Sequence, residues 1–236
     1  MQSRLYKTGW KVLDLLFPPK CAGCGKWGER YCAACLKKSV LIPAPICQIC
    51  GDPLPDGGEV ICVRCRTQQV AYTAVRSWAV FEEPLQSAIH QLKYRQDRGL
   101  GEVLALPMID IIKKYMWDID LVIPVPLDDA RRKERGYNQA ALLARPISWE
   151  TGIPYKKGIL NRIKVTRQQV GLNITERREN MSGAFQADRD QVSGKRMLVV
   201  DDVITTGATL NACAHALISA GAERVFGLTL ARSSYN

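Results

Sequence analysis

At 236 residues and 26.3 kDa the chain has room for one or two domains. Hydrophobic residues make up 47% and charged residues 24%, which excludes a wholly disordered or fibrous protein. The 33 basic and 23 acidic residues give a formal charge of +10, which points to polyanionic partners: nucleic acid, phosphorylated ligands or acidic membranes.

Residues 4–17 place Leu5, Tyr6, Gly9, Trp10, Leu13, Leu16 and Phe17 near helical spacing, and Pro18-Pro19 ends that helix. Its expected role is to pack on the cysteine-rich region or on the next domain, with a membrane-surface or partner-binding helix as the alternative. No apolar run approaches the ~18 residues of a membrane span. Lys7, Lys11 and Asp14 interrupt any signal-peptide core. The expected compartment is the cytoplasm, where thiols stay reduced.

Eight of the nine cysteines then form four Cys-x-x-Cys pairs: Cys21/Cys24, Cys32/Cys35, Cys47/Cys50 and Cys62/Cys65. Each pair is a tight turn that brings two thiolates to one ion at ~2.3 Å, and two pairs complete a tetrahedral shell. Four pairs make two closed Cys-only sites, which predicts structural zinc. A disulfide framework does not suit the reduced compartment. Thioredoxin-like chemistry calls for one pair beside a βαβ unit. Sequential and cross-braced connectivities both remain open. The intervals of 7 and 11 residues inside the sequential sites favour the sequential one. Filling both sites changes the formal charge by −4, to about +6.

This region is rich in Pro and Gly, so metal is expected to supply its core. The reading is an N-terminal helix plus double zinc ribbon over 1–70, and a second domain over 71–236. In the second domain Ala74 to Phe81 reads as a strand. Leu85 to Tyr94 and Leu100 to Tyr115 read as helices, the latter interrupted by Pro107. Asp120 to Pro126 is a buried strand, Asn138 to Thr151 a helix, and Gly158 to Ile163 a short strand. Met197 to Val200 is a strand, Leu210 to Ser219 a helix capped by Gly221, and Arg224 to Ala231 a last strand. The alternation predicts an α/β fold with a mainly parallel sheet.

The segment Met197-Leu198-Val199-Val200-Asp201-Asp202-Val203-Ile204-Thr205-Thr206-Gly207-Ala208-Thr209 carries the chemistry. A buried strand delivers two acids and a small hydroxyl-rich turn to the start of a helix. In a parallel sheet that is where ligands bind. Thr205, Thr206, Gly207, Ala208 and Thr209 offer N–H and hydroxyl donors to a phosphate. Asp201 and Asp202 would repel phosphate but accept hydrogen bonds from sugar hydroxyls. Together they describe a ribose 5-phosphate site. A Walker loop is excluded, because its lysine is missing.

Residues 131–178 hold 12 Arg and Lys against three Glu, whereas the rest of 71–236 is net negative. A segment so biased reads as an anion-binding face. Arg131, Arg132, Arg135 and Asn138 follow the Pro124-Val125-Pro126 strand on the expected ligand side, where forked guanidinium donors suit a diphosphate. Thr166 to Leu172, with Arg167, lacks periodicity and reads as a mobile loop. Cys213, His90, Trp78, Trp117 and Trp149 are read as packing residues.

The apolar–Asp-Asp–Thr-Thr-Gly-Ala-Thr segment resembles the phosphoribosyl-diphosphate signature of type I phosphoribosyltransferases. The order of Cys-x-x-Cys ribbons, His90-Gln91-Leu92-Lys93-Tyr94, Pro124-Val125-Pro126, Arg135-Gly136-Tyr137-Asn138-Gln139, Arg167-Gln168-Gln169-Val170-Gly171-Leu172, Arg177-Arg178-Glu179-Asn180 and the Asp-Asp loop is similar to the ComF family of amidophosphoribosyltransferase-like competence proteins. The resemblance implies a type I phosphoribosyltransferase-like sheet behind a double zinc ribbon. It implies phosphoribosyl diphosphate (PRPP) with magnesium as ligand, the ribose hydroxyls on Asp201 and Asp202, and the 5′-phosphate on Thr205 to Thr209. In the family, a loop equivalent to that carrying Arg167 closes over the substrate. The implied role is DNA uptake in natural transformation or use of external DNA, with single-stranded DNA and a competence helicase as candidate partners. Transfer to an unknown nucleophile is the enzymatic alternative.

Overall fold

The computed structural model describes residues 17–55, 58–95, 97–163 and 183–233. The expected N-terminal helix, but for Phe17, and the Arg167 loop lie outside the described residues.

The cysteine-rich region holds two short helices, α1 (Ala33–Lys38) and α2 (Val63–Thr67). The chain then runs β1 (Ala74–Val80), α3 (Leu85–Tyr94), α4 (Arg98–Tyr115), β2 (Leu121–Pro124), α5 (Asp129–Arg135), α6 (Gln139–Thr151), β3 (Leu160–Arg162), β4 (Phe185–Ala187), α7 (Arg189–Val192), β5 (Arg196–Ile204), α8 (Ala208–Ser219) and β6 (Arg224–Arg232). Four strands form a parallel sheet in the order β1-β6-β5-β2. The strands β3 and β4 pair separately and antiparallel.

Both faces of the sheet are covered, which explains the unbroken apolar run of β5. Leu198 and Val200 face a layer built from α3, α4 and α6, with Leu92, Leu104, Met108, Leu143 and Ile147. Met197 and Val199 face the opposite layer, with Leu210, Cys213 and Leu217 of α8. Cys213 thus packs in the core, and Trp117 stacks on Phe226 with ring centroids 4.9 Å apart.

The ribbons are built into both layers. Cys21, Ala22, Tyr31 and Cys35 join the α3–α4–α6 side, and Cys47 and Cys50 join the α8 side. The ribbon region also closes the open edge of β1. Val75 N–H donates to Ile49 O and Val80 N–H to Val40 O, each at 2.7 Å, and Leu41 bridges Ala79. An uncovered edge would invite pairing with another chain.

Several boundaries depart from the periodicity reading. Pro107 does not interrupt α4, because Leu104, Ala105, Met108 and Ile109 on either side are buried in one layer and packing holds the helix together. The stretch after Pro126, to which the periodicity assigns no element, contains α5. Its signals were local: the Asp128 side chain accepts from Arg131 N–H at the start, and Gly136 sits at φ 73° at the end. The strand β4 and helix α7 are three and four residues long, too short to show a period.

Candidate functional site: an anion cleft braced by two cysteine clusters

Cys21, Cys24, Cys32 and Cys35 converge in one group and Cys47, Cys50, Cys62 and Cys65 in another, with the four sulfurs of each within 4.8 Å of one another. The connectivity is therefore sequential. Sulfur pairs lie 3.6 Å (Cys21–Cys35), 3.7 Å (Cys24–Cys32) and 3.6 Å (Cys50–Cys62) apart. A tetrahedron with bonds of ~2.3 Å has edges of about 3.8 Å, so the clusters fit zinc. In each ribbon the later knuckle donates a backbone N–H to the first sulfur: Cys32 to Cys21 at 3.3 Å and Cys62 to Cys47 at 3.4 Å. Burial pushes the Cys21 thiol up, but N–H donors from Cys32, Cys24 and Gly23 outweigh it and bring it to about 6. Cys47 falls to about 7, where donors from Cys62, Cys50 and Ile49 outweigh burial. Such thiols give up their protons to a metal readily.

The second site is a cleft of about 330 Å³ at the carboxyl ends of the sheet strands. That volume suits a small phosphorylated ligand. The strand β5 carries Asp201 and Asp202 to its floor. Asp202 is 4% exposed, and its Oδ2 lies 3.1 Å from Lys93 Nζ at the end of α3. Burial, then the charge of Asp202, pushes the Asp201 carboxyl well above the usual range. Beyond the acids, Thr205 to Gly207 turn into α8. Gly207 is the N-cap residue at φ 79°, a conformation that only glycine adopts cheaply. Thr205, Gly207, Ala208 and Thr209 line the cleft. Thr206 does not. Its hydroxyl accepts from Ala208 N–H at 3.3 Å and so shapes the turn.

A cationic wall faces the loop, formed by Lys93, Arg131, Arg135 and Arg162. Asp128, besides capping α5, accepts from Arg162 Nη1 at 3.5 Å and lies 3.4 Å from Arg131 Nε. Burial lowers the Arg162 guanidinium against the pull of Asp128. Arg135 donates to Gln139 Oε1 at 3.1 Å and to Tyr94 Oη at 3.3 Å, while its buried Nε has no hydrogen-bond partner among the described residues. A buried unpaired donor on a cleft wall is what an anion would satisfy.

The cleft thus gathers Asp201, Asp202, Thr205, Gly207, Ala208, Thr209, Arg131 and Arg135 from the expected residues. Arg132 is exposed on α5 outside it. Asn138 is taken up elsewhere: its Oδ1 accepts from Ala140 N–H to cap α6, and its Nδ2 donates to Val125 O, both at 2.9 Å. Sequence reasoning missed Lys93 and Arg162 as site residues. Lys93 stands in a motif that the sequence singled out, but only the docking of α3 brings it to Asp202.

The fold and the paired cysteine clusters define a phosphoribosyltransferase-type domain carrying a double zinc ribbon. Family models agree: a double zinc ribbon domain matches residues 12–66 and a phosphoribosyl transferase domain matches residues 101–233. Competence protein F of Haemophilus influenzae is 33% identical, covering 86% of this chain and 90% of that protein. The DNA utilization protein YhgH of Salmonella typhi is 30% identical over 84% and 88% of the two chains. Competence protein ComFC of Bacillus subtilis is 28% identical over 95% and 89%. The chain belongs to the ComF family. No helix among the described residues is long and apolar enough to cross a membrane.

Proposed function

We propose that the cleft binds phosphoribosyl diphosphate with magnesium, and that the protein acts in the cytoplasm in DNA uptake or the use of external DNA; the names of its relatives say competence and DNA utilization of them. One observation carries the ligand reading. The buried Asp202, the half-buried Asp201, a glycine-capped helix start and four cations all line one cleft. The acids suit the ribose hydroxyls, the loop the 5′-phosphate, and Lys93, Arg131, Arg135 and Arg162 the diphosphate. Magnesium, a hard cation, would sit on the ligand's diphosphate and ribose oxygens and neutralise part of their charge.

The test is calorimetric titration with phosphoribosyl diphosphate and magnesium. A hydrogen bond to a charged group contributes about 1.5–3 kcal/mol, so the Asp201→Ala/Asp202→Ala variant should lose about 100-fold or more. Equal binding by that variant, or none by the wild type, refutes the assignment. Diphosphate release with a panel of bases and amines then reads whether transfer follows.

A second reading has its own observation. Arg132 and Lys133 are exposed on α5 outside the cleft, continuing the basic segment onto an outer face. Single-stranded DNA along that face should bind with strong salt dependence. Titrating it with and without phosphoribosyl diphosphate separates a DNA site from competition for the cleft.

A further inference from the structure

The second ribbon touches the loop that closes the cleft. Arg64, on α2 between the metal ligands Cys62 and Cys65, donates from Nη1 to the Thr206 carbonyl oxygen at 2.8 Å. Its Nη2 pairs with Asp52 Oδ2 at 2.5 Å. Asp52 stands two residues after Cys50, and its carbonyl closes the knuckle by accepting from Cys47 N–H at 2.8 Å. Its other carboxylate oxygen accepts from Arg232 at the end of β6, and Arg232 also donates to the Cys50 carbonyl. Arg64 and Asp52 are both largely buried, at 21% and 13% side-chain exposure.

Peptide geometry carries this contact into the cleft. In a planar trans peptide the carbonyl oxygen and the next N–H point in opposite directions. Arg64 does not line the cleft, while Gly207 does. A Thr206 carbonyl held against Arg64 would therefore leave the Gly207 N–H on the cleft side. Were that peptide to flip, a carbonyl oxygen would face the anion in place of a donor.

We infer that Arg64 is a positioning residue for the phosphate loop, and that the second cysteine cluster thereby sets the cleft's affinity for a sugar phosphate. This rests on the reading of the cleft as a phosphoribosyl site. The coupling is selective. The loop held by Arg64 would take the 5′-phosphate, whereas the cations that would take a diphosphate stand on α3, α5 and β3.

The test compares ribose 5-phosphate with inorganic diphosphate plus magnesium, each titrated calorimetrically into wild type and Arg64→Ala, with zinc content measured alongside. Arg64→Ala should retain two zinc ions per chain, weaken ribose 5-phosphate about tenfold or more, and change diphosphate less than about twofold. Unchanged ribose 5-phosphate binding overturns the inference, and so do equal losses for both ligands, which would mean general loosening. If Arg64→Ala fails to fold, Arg64→Lys serves. A single ammonium cannot span both Thr206 O and Asp52 as the guanidinium fork does, so the same selective loss is expected. Absence of binding by the wild type would remove the phosphoribosyl reading itself, an outcome distinct from wild-type binding without an Arg64 effect.

Discussion

Gly25 and Gly51 stand directly after equivalent knuckles, at φ 75° and 74°. Replacing either with Ala forces a side chain into the left-handed region, at about 1–2 kcal/mol. There the likeness ends. A Cβ on Gly25 would have nothing within 4 Å, whereas one on Gly51 would stand 2.6 Å from the Val75 carbonyl oxygen on β1. That oxygen is backbone in a sheet and cannot swing aside. Relief requires the second ribbon to lift from β1, straining the Val75 N–H to Ile49 O bond. Overpacking of this kind costs about 1–3 kcal/mol. Gly51→Ala should therefore be less stable than Gly25→Ala by that amount. At about 2–4 °C per kcal/mol for a chain of this size, the difference is about 2–12 °C in Tm. The assay is thermal unfolding of both variants with zinc content checked, since neither substitution removes a ligand. Equal Tm values would refute the seating of the second ribbon on β1.

Individual residues carry further expectations. With Asp201 raised by burial and by Asp202, the folded state holds a proton that the unfolded chain has already released, so wild-type stability should fall as pH rises from the ordinary carboxylate range through the raised value. Urea titrations across pH should show Asp201→Asn lacking that fall, and parallel profiles would refute it. Asn138→Ala should cost about 1–2 kcal/mol in urea unfolding through the lost cap and the Val125 contact, yet leave ligand affinity within about twofold. A stable variant with lost affinity would return Asn138 to the ligand. Chelating zinc should lower the Tm of the whole chain, because the ribbons contribute to both core layers. Calorimetry showing the main transition unmoved would contradict that shared core.

The pairing of the cysteines, the α/β alternation, and the acids and small hydroxyl residues of the Asp201–Thr209 loop were all legible in sequence. Each is a short-range pattern: a turn that aims two thiolates, a period of burial, a strand that hands its last residues to a helix start. Sequence also singled out the basic segment after Pro126, but not which cations turn inward. Arg131 and Arg135 line the cleft because α5 is a helix and they stand four residues apart on one side of it, while Arg132 falls on another side. Lys93, Arg162 and Arg64 were invisible as site residues, since their partners lie 109, 34 and 142 positions away. Residue type and local spacing determined which chemistries this protein contains. The packing of the sheet's two covered faces decided which of those groups meet, because long-range contacts are set by how whole elements bury their apolar sides and leave no trace in the spacing of the polar residues they bring together.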